Sequence, residues 1–171
     1  SAHILQLSGV GAAPELATQD IQVVADRPGV GGNLQDHLQL RLIYKVSGIK
    51  TLNETYNKLS QRALMGLDYA LRRRGPMAVG INQGGLFARA LPEADRPDVQ
   101  YHFATLSSDM AGSPVHTFSG FTMSVCQLRP ASRGTVRIAS ADPMAPPAMR
   151  PNYLTDEGDR RTLVAGIRLA R

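Results

Sequence analysis

A glycine-rich stretch near the start of the chain groups residue types that could bind a polar ligand. It contains three glycines, Gly29, Gly31 and Gly32. Residues without a Cβ let the backbone turn sharply and lie close to a ligand. Asn33, Asp36 and His37 follow, so an amide, a carboxylate and an imidazole lie within one short segment. Two interpretations stay open: contact with a polar or anionic cofactor group, or a tight loop whose polar side chains cap the next turn.

His102 is a second candidate for chemistry. It belongs to an alternating segment in which Val99, Tyr101 and Phe103 form one face, so His102 lies on the other. A histidine held there could donate a hydrogen bond within a binding pocket. The alternative is a structural histidine whose ring nitrogens are satisfied within the protein.

Asn82 and Gln83 precede an apolar segment and could donate hydrogen bonds to a substrate hydroxyl. They could equally be ordinary polar residues at the start of a strand. His116 falls in a polar loop, where no Ser–His–Asp spacing is informative, because such triads are defined by geometry. The four histidines and Cys126 lack the spacing typical of metal ligands, so we expect no metal.

Composition narrows the class of protein. The chain has 171 residues, 43% of them hydrophobic and 19% charged, with a net charge of +5. These values are typical of a globular protein with a core of its own. The sequence contains no apolar run of roughly 18 residues, so it predicts no membrane span. The basic triplet at 72–74 closes a helical pattern, where cations oppose the helix dipole, so we expect no nucleic-acid partner. A single cysteine fits a reducing compartment.

Hydrophobic periodicity predicts an α+β fold, with a mostly antiparallel sheet of about five strands and helices packed on one face. The expected strands are 39–46, 84–90, 98–105, 120–128 and 134–139, besides a short apolar strand at 21–25. The clearest helix starts near Asn53 as N-cap and stops at Gly75 and Pro76. A proline-rich connection at 142–151 leads to a last helix from about residue 155.

Five segments in this order resemble the glucose–methanol–choline (GMC) family of flavin-dependent oxidoreductases. LSGVG at 7–11 and DRPGVGGNLQDH at 26–37 are similar to the second family signature. PDVQYHF at 97–103 resembles the strand that leads into the substrate site. LRPASRGTVRI at 128–138 resembles the hairpin before the proline-rich loop. PNYL at 151–154 and LVAGIRLAR at 163–171 are similar to the turn and helix that follow.

The resemblance implies FAD as cofactor and oxidation of an alcohol by hydride transfer to the flavin. It divides the chain into residues 1–38, belonging to the FAD-binding region, and residues 39–171, the core of the substrate-binding domain. Gly29, Gly31, Asn33, Asp36 and His37 would then bind the cofactor. The family's Gly-x-Gly-x-x-Gly cradle and its C-terminal catalytic base do not occur in this sequence. We therefore expect an inactive fragment that docks on an FAD-binding domain outside it.

The resemblance also suggests a substrate pocket formed by Asn82, Gln83 and His102. Choline-specific members tend to carry a glutamate where this chain has Gln83. A quaternary ammonium is best held by a carboxylate and an aromatic cage, and a buried cation without a counter-ion is costly. We therefore expect a neutral primary alcohol rather than choline. The expected location is the cytoplasm, with a peripheral position at the inner face of the membrane as the alternative. The alternative function is a non-catalytic binding or scaffold module without flavin.

Overall fold

The computed structural model describes residues 1–110 and 112–171. Its helices are α1 (Ala2–Leu7), α2 (Ala13–Ala17), α3 (Leu52–Asn57), α4 (Leu59–Arg72) and α5 (Glu157–Ala170), with a 3-10 turn at Pro76–Ala78. Its strands are β1 (Val10–Gly11), β2 (Ala25–Asp26), β3 (Gln39–Lys45), β4 (Asn82–Ala88), β5 (Val99–Ala104), β6 (Gly120–Gln127), β7 (Thr135–Arg137) and β8 (Ala148–Arg150). Within these residues no helix is both long and apolar enough to cross a membrane.

The largest sheet has four strands in the order β3-β6-β5-β4, and every neighbouring pair is antiparallel. The α+β class with a mostly antiparallel sheet is confirmed. The expected fifth strand is not part of this sheet, because β7 pairs with β8 instead. β8 lies within the proline-rich segment at 142–151, which we predicted as a connection, so that prediction is wrong for Ala148–Arg150. Prolines favour an extended backbone there, which is compatible with strand pairing. The short strand predicted at 21–25 is reduced to β2, which pairs in parallel with β1.

The chain divides into two compact units. The first unit consists of Ser1–Leu38 and Arg129–Arg161, and the second consists of Gln39–Leu128 and Thr162–Arg171. The residues that we assigned from the sequence to an FAD-binding region form one part of the first unit. The hairpin of β7 and β8 and the turn after it form the other part.

In the second unit, α5 packs on the sheet face that carries Tyr101. The Tyr101 hydroxyl donates to the Gly166 carbonyl at 2.7 Å, and the Tyr44 hydroxyl donates to the Ala170 carbonyl at 2.8 Å. A Cβ on Gly166 would lie 2.9 Å from the Val125 side chain. The absence of a side chain at Gly166 therefore lets the helix approach the sheet closely.

The single helix predicted from Asn53 is two helices. The chain is extended at Lys58, which separates α3 from α4. Thr51, rather than Asn53, is the N-cap, with a capping box to Glu54. Asn53 is fully buried and its side chain bonds to a distant loop. The predicted stop before Gly75 and Pro76 is confirmed: α4 ends at Arg72, and the next residue, Arg73, is left-handed.

In the first unit, the buried side chain of Gln6 joins α1 to the edge of β7. Its Nε2 donates to the Val136 carbonyl at 2.9 Å, and its Oε1 accepts from the Ile138 amide at 3.0 Å. A buried amide that satisfies both of its ends fixes the helix against one register of the hairpin. Arg137 adds an ion pair to Glu15 at 2.9 Å.

Candidate functional site

The glycine-rich loop lies against β7. Gly31 has a positive φ of 74°, and a Cβ there would lie 2.1 Å from the Val136 carbonyl oxygen and 2.4 Å from Gln6 Nε2. Gly31 is therefore required by packing inside the first unit, whether or not a ligand binds. Gly29 is different, because nothing lies within 4 Å of the position of its Cβ. The loop thus has one side packed on the hairpin and one side open.

Alternate backbone amides of this loop are engaged by the protein. Val30 donates to Arg27, Gly32 donates to Gly29, and Leu34 donates to Gly134, at 3.0, 3.1 and 2.9 Å. Within the described part of the chain, the amides of Gly29, Gly31 and Asn33 have no protein acceptor. Unengaged amides in a turn can donate to an anionic or polar group.

The polar residues of the loop are exposed and tied to a second turn. Asn33 adopts a left-handed conformation with φ of 60°. Asp36 Oδ1 accepts from the backbone amide of His37 at 2.9 Å, and its Oδ2 accepts a hydrogen bond from the Tyr153 hydroxyl. That bond to Asp36 is the main cause that raises the pKa of Tyr153, and partial burial adds to it. Tyr153 was not singled out by the sequence.

His102 lies on β5 between two strands, opposite Gly85 of β4 and Ser124 of β6, and it is half-buried. Asn82 opposes Ala104, which shares the face of His102. Gln83 occupies a break in the register between Asn82 and Gly84. Such bulges re-aim a side chain and locally interrupt pairing. The structure therefore places the three predicted substrate residues on adjacent strands, with both amides exposed.

The opposite face of this sheet carries a cavity of about 350 Å³. Phe103 and Phe121 line it, with ring centroids 5.1 Å apart, and α3 forms a wall. Phe103 alternates with His102 along β5, so His102 does not face this space. The hydroxyl of Thr105, another lining residue, is buried without a hydrogen-bond partner within the described residues. The cavity is therefore separate from the predicted substrate residues.

Three polar residues form a hydrogen-bonded series that sequence spacing did not reveal. His116 Nδ1 lies 3.1 Å from Ser107 Oγ, and His116 Nε2 lies 3.1 Å from Asp109 Oδ1. The order resembles a nucleophile–base–acid triad. Ser107, however, is 0% exposed, and its Oγ accepts from the Asn53 side chain at 2.8 Å. A serine without access to substrate acts structurally, so this group holds the loop before β6 against α3.

Among the described residues, no group of histidine, cysteine, aspartate or glutamate side chains has the arrangement of a metal site. Cys126 is buried, and its burial raises the pKa of the thiol. A neutral, buried thiol is a poor nucleophile. Among the described residues that the sequence singled out, the open side of the glycine-rich loop and the half-buried His102 are accessible to a ligand.

Comparison with known proteins finds one family model for the last part of the chain and relatives that match its full length. A family model described as GMC oxidoreductase matches residues 130–171. An alcohol dehydrogenase [acceptor] of Pseudomonas putida is 38% identical over 170 residues, which is 99% of this chain. An oxygen-dependent choline dehydrogenase of Acinetobacter baumannii is 37% identical over 171 residues, which is 100% of this chain. Each match covers 31% of the relative.

Solved structures support the fold. A variant of Aspergillus oryzae formate oxidase, studied for FAD modification, superposes with a TM-score of 0.87 over 99% of this chain, at 23% identity and over 34% of its own length. This chain therefore spans about a third of the proteins that it matches. The matches to these relatives run from end to end of the chain, and its last part, residues 130–171, matches the GMC oxidoreductase family model.

Proposed function

We propose that this chain is a segment of an FAD-dependent oxidoreductase that oxidises an alcohol at its CH–OH group. The observation that carries the proposal is the end-to-end similarity to an alcohol dehydrogenase, at 38% identity. Bound FAD would supply the hydride acceptor. The residues of this chain would contact the cofactor from the first unit and shape the substrate pocket from the second. The base that removes the hydroxyl proton would lie outside this chain.

The glycine-rich loop fits FAD as a contact surface but not as its main cradle. Its open side offers the amides of Gly29 and Asn33, and no Cβ obstructs Gly29. Asn33, Asp36 and His37 add exposed polar side chains. The chain has no Gly-x-Gly-x-x-Gly segment, which places a pyrophosphate on a helix N-terminus in dinucleotide-binding folds. We infer that Gly29, Gly31, Asn33, Asp36 and His37 contact or cover part of the cofactor.

The substrate residues would work by position and hydrogen bonding. His102 is held on a central strand, and a half-buried ring there could donate to the substrate oxygen as charge develops. Asn82 and Gln83 lie on the neighbouring strand with exposed amides that could orient a hydroxyl. Replacement of His102 by alanine should then lower turnover more than it changes stability.

We propose a neutral primary alcohol as the preferred substrate. Gln83 supplies a neutral amide where a cation would need a carboxylate, and its own strand, β4, offers only Phe87 as an aromatic residue. A desolvated quaternary ammonium without a counter-ion would bind poorly. The relatives include proteins named for alcohol and for choline, so choline oxidation is the competing activity.

An exposed apolar surface supports docking on a further part of a longer protein. On α4, the side chains of Leu59 and Leu71 are 78% and 74% exposed, and no residue of that helix is buried. Leu86 and Phe87 of the edge strand β4 are exposed as well. Exposed apolar side chains in such number favour an interaction site on each of these elements. We propose that an FAD-binding part covers this surface and that the 171-residue chain alone has no turnover.

The specificity test uses a longer protein that contains this chain. Gln83→Glu should raise the rate of choline oxidation relative to that of a neutral primary alcohol. Gln22→Glu, at an exposed position of the first unit, adds the same charge elsewhere and should leave the ratio unchanged. Equal ratios in wild type and Gln83→Glu would contradict the role of Gln83. A wild-type preference for choline would contradict the proposed substrate class.

A further inference from the structure

Tyr153 lies between two residues in an uncommon backbone conformation. Asn152 and Leu154 are both left-handed, with φ of 54° and 57°. Asparagine tolerates this region, but it is rare for a bulky residue such as leucine. Strained residues of this kind persist where the surrounding structure holds them, and they cluster at functional sites. We therefore infer that the turn at 151–154 holds Tyr153 in a fixed position.

That place is beside Asp36. The Tyr153 hydroxyl donates to Asp36 Oδ2, while Asp36 Oδ1 accepts from the His37 amide. Each carboxylate oxygen thus has a different donor. Tyr153 is 40% exposed, so its ring is not a core residue, and its hydroxyl makes the specific contact. Removing the hydroxyl would free Asp36 to rotate away from His37.

The turn and the loop are also joined through the hairpin between them. Leu34 and Gly134 exchange two backbone hydrogen bonds, at 2.9 and 2.8 Å. The Asn152 side chain donates to the Arg133 carbonyl at 3.1 Å. The loop is thereby fixed at Leu34, and the turn is fixed beside it. Between Leu34 and His37, Tyr153 contacts the loop through Asp36.

We propose that Tyr153 is a positioning residue, which holds Asp36 and through it the backbone at His37, so that the loop keeps the shape that contacts the cofactor. This inference rests on the proposed function. Tyr153 itself does not act on the substrate. Its hydroxyl sets the orientation of a carboxylate, and that carboxylate sets the orientation of the loop.

The first readout uses the 171-residue chain. Tyr153→Phe should increase the hydrogen-exchange rate of the His37 amide by about tenfold, because one hydrogen bond to a charged group is lost. The Gly134 amide, which bonds Leu34, should keep its rate. Tyr56→Phe is the matched control, since Tyr56 is similarly exposed, at 44%, and lies in the second unit. Asp36→Asn keeps the side-chain shape and should loosen His37 in the same way.

The second readout uses a longer protein that contains the chain. Tyr153→Phe should weaken FAD binding about tenfold, and change the flavin fluorescence of the bound form, while the thermal unfolding midpoint stays near that of Tyr56→Phe. Unchanged His37 exchange and unchanged FAD affinity would overturn the positioning role. A wild-type protein that retains no flavin would overturn the proposed function instead, and the exchange rates would still decide whether Tyr153 holds the loop.

Discussion

Two glycines in helices should respond to alanine in opposite directions. Gly166 lies in α5 and Gly66 lies in α4. Each Gly→Ala change gains about 1 kcal/mol of helix propensity. At Gly66 nothing lies within 4 Å of the added Cβ, so the gain should be kept. At Gly166 the new Cβ would lie 2.9 Å from Val125 and 3.1 Å from Val99.

The contact at Gly166 should outweigh the propensity gain. Both valines are fully buried, and a β-branched side chain has little freedom to move aside. Overpacking of this kind costs about 1–3 kcal/mol. We therefore expect Gly66→Ala to stabilise the chain by roughly 0.5–1 kcal/mol. We expect Gly166→Ala to destabilise it by about 1 kcal/mol, as the difference between the two effects.

The assay is urea unfolding of the 171-residue chain, followed by circular dichroism, with wild type and both variants measured side by side. A shift of the midpoint without a change in slope reports stability alone. The two variants share the same propensity gain, so the difference between them isolates the contact of α5 with the sheet. Equal stabilisation by both alanines would refute the close approach of α5 to Val125 and Val99.

Three further perturbations test other contacts. Burial raises the pKa of Tyr101 above 10.0. Wild type should therefore lose stability as the pH rises above about 10, because Tyr101 ionises first in the unfolded chain. Tyr101→Phe should show a smaller loss of stability in unfolding titrations over the same pH range. Asp159→Ala should cost about 2–4 kcal/mol in urea unfolding, because this buried carboxylate accepts from the amides of Ala131 and Ser132, both at 2.8 Å; a change below 1 kcal/mol would contradict that role. Asn53→Ala should lower the thermal midpoint and speed hydrogen exchange of the Ser107 amide, because that amide donates to Asn53 Oδ1. Unchanged exchange would contradict this role of the Asn53 side chain.

Alternation and periodicity predicted the elements that local sequence controls. The pattern in β3, β5 and β6 has period two, and the face of His102 follows from it directly. The end of α4 at Arg72 follows from Gly75 and Pro76, which lie shortly after it. These features depend on residues close in sequence, so a single chain is enough to predict them.

The features that the sequence missed depend on distant partners. Asn53 is a good N-cap residue, yet its side chain bonds to the Ser107 hydroxyl 54 residues away, and the cap moves to Thr51. Tertiary hydrogen bonds of this kind override local preference. The group formed by Ser107, Asp109 and His116 likewise depends on how the loop folds back.

In the candidate site, too, local sequence predicted some features and contacts between distant residues decided others. The composition of the glycine-rich loop indicated a turn with polar residues, but not which glycine is packed and which is open. Only the hairpin register reveals that Gly31 faces Val136 while Gly29 has free space. Tyr153 reaches Asp36 across 117 residues of sequence. No spacing rule connects residues so far apart, although an acidic loop residue and a turn tyrosine were both visible.

The measurement that tests the central claim most directly is anaerobic titration of a longer protein containing this chain, purified with its flavin, against a neutral primary alcohol and against choline. The account predicts that the neutral alcohol bleaches the flavin absorbance and that choline does so far more slowly. A protein that binds no flavin, or a flavin that no alcohol reduces, would contradict the assignment of this chain to an alcohol-oxidising flavoenzyme.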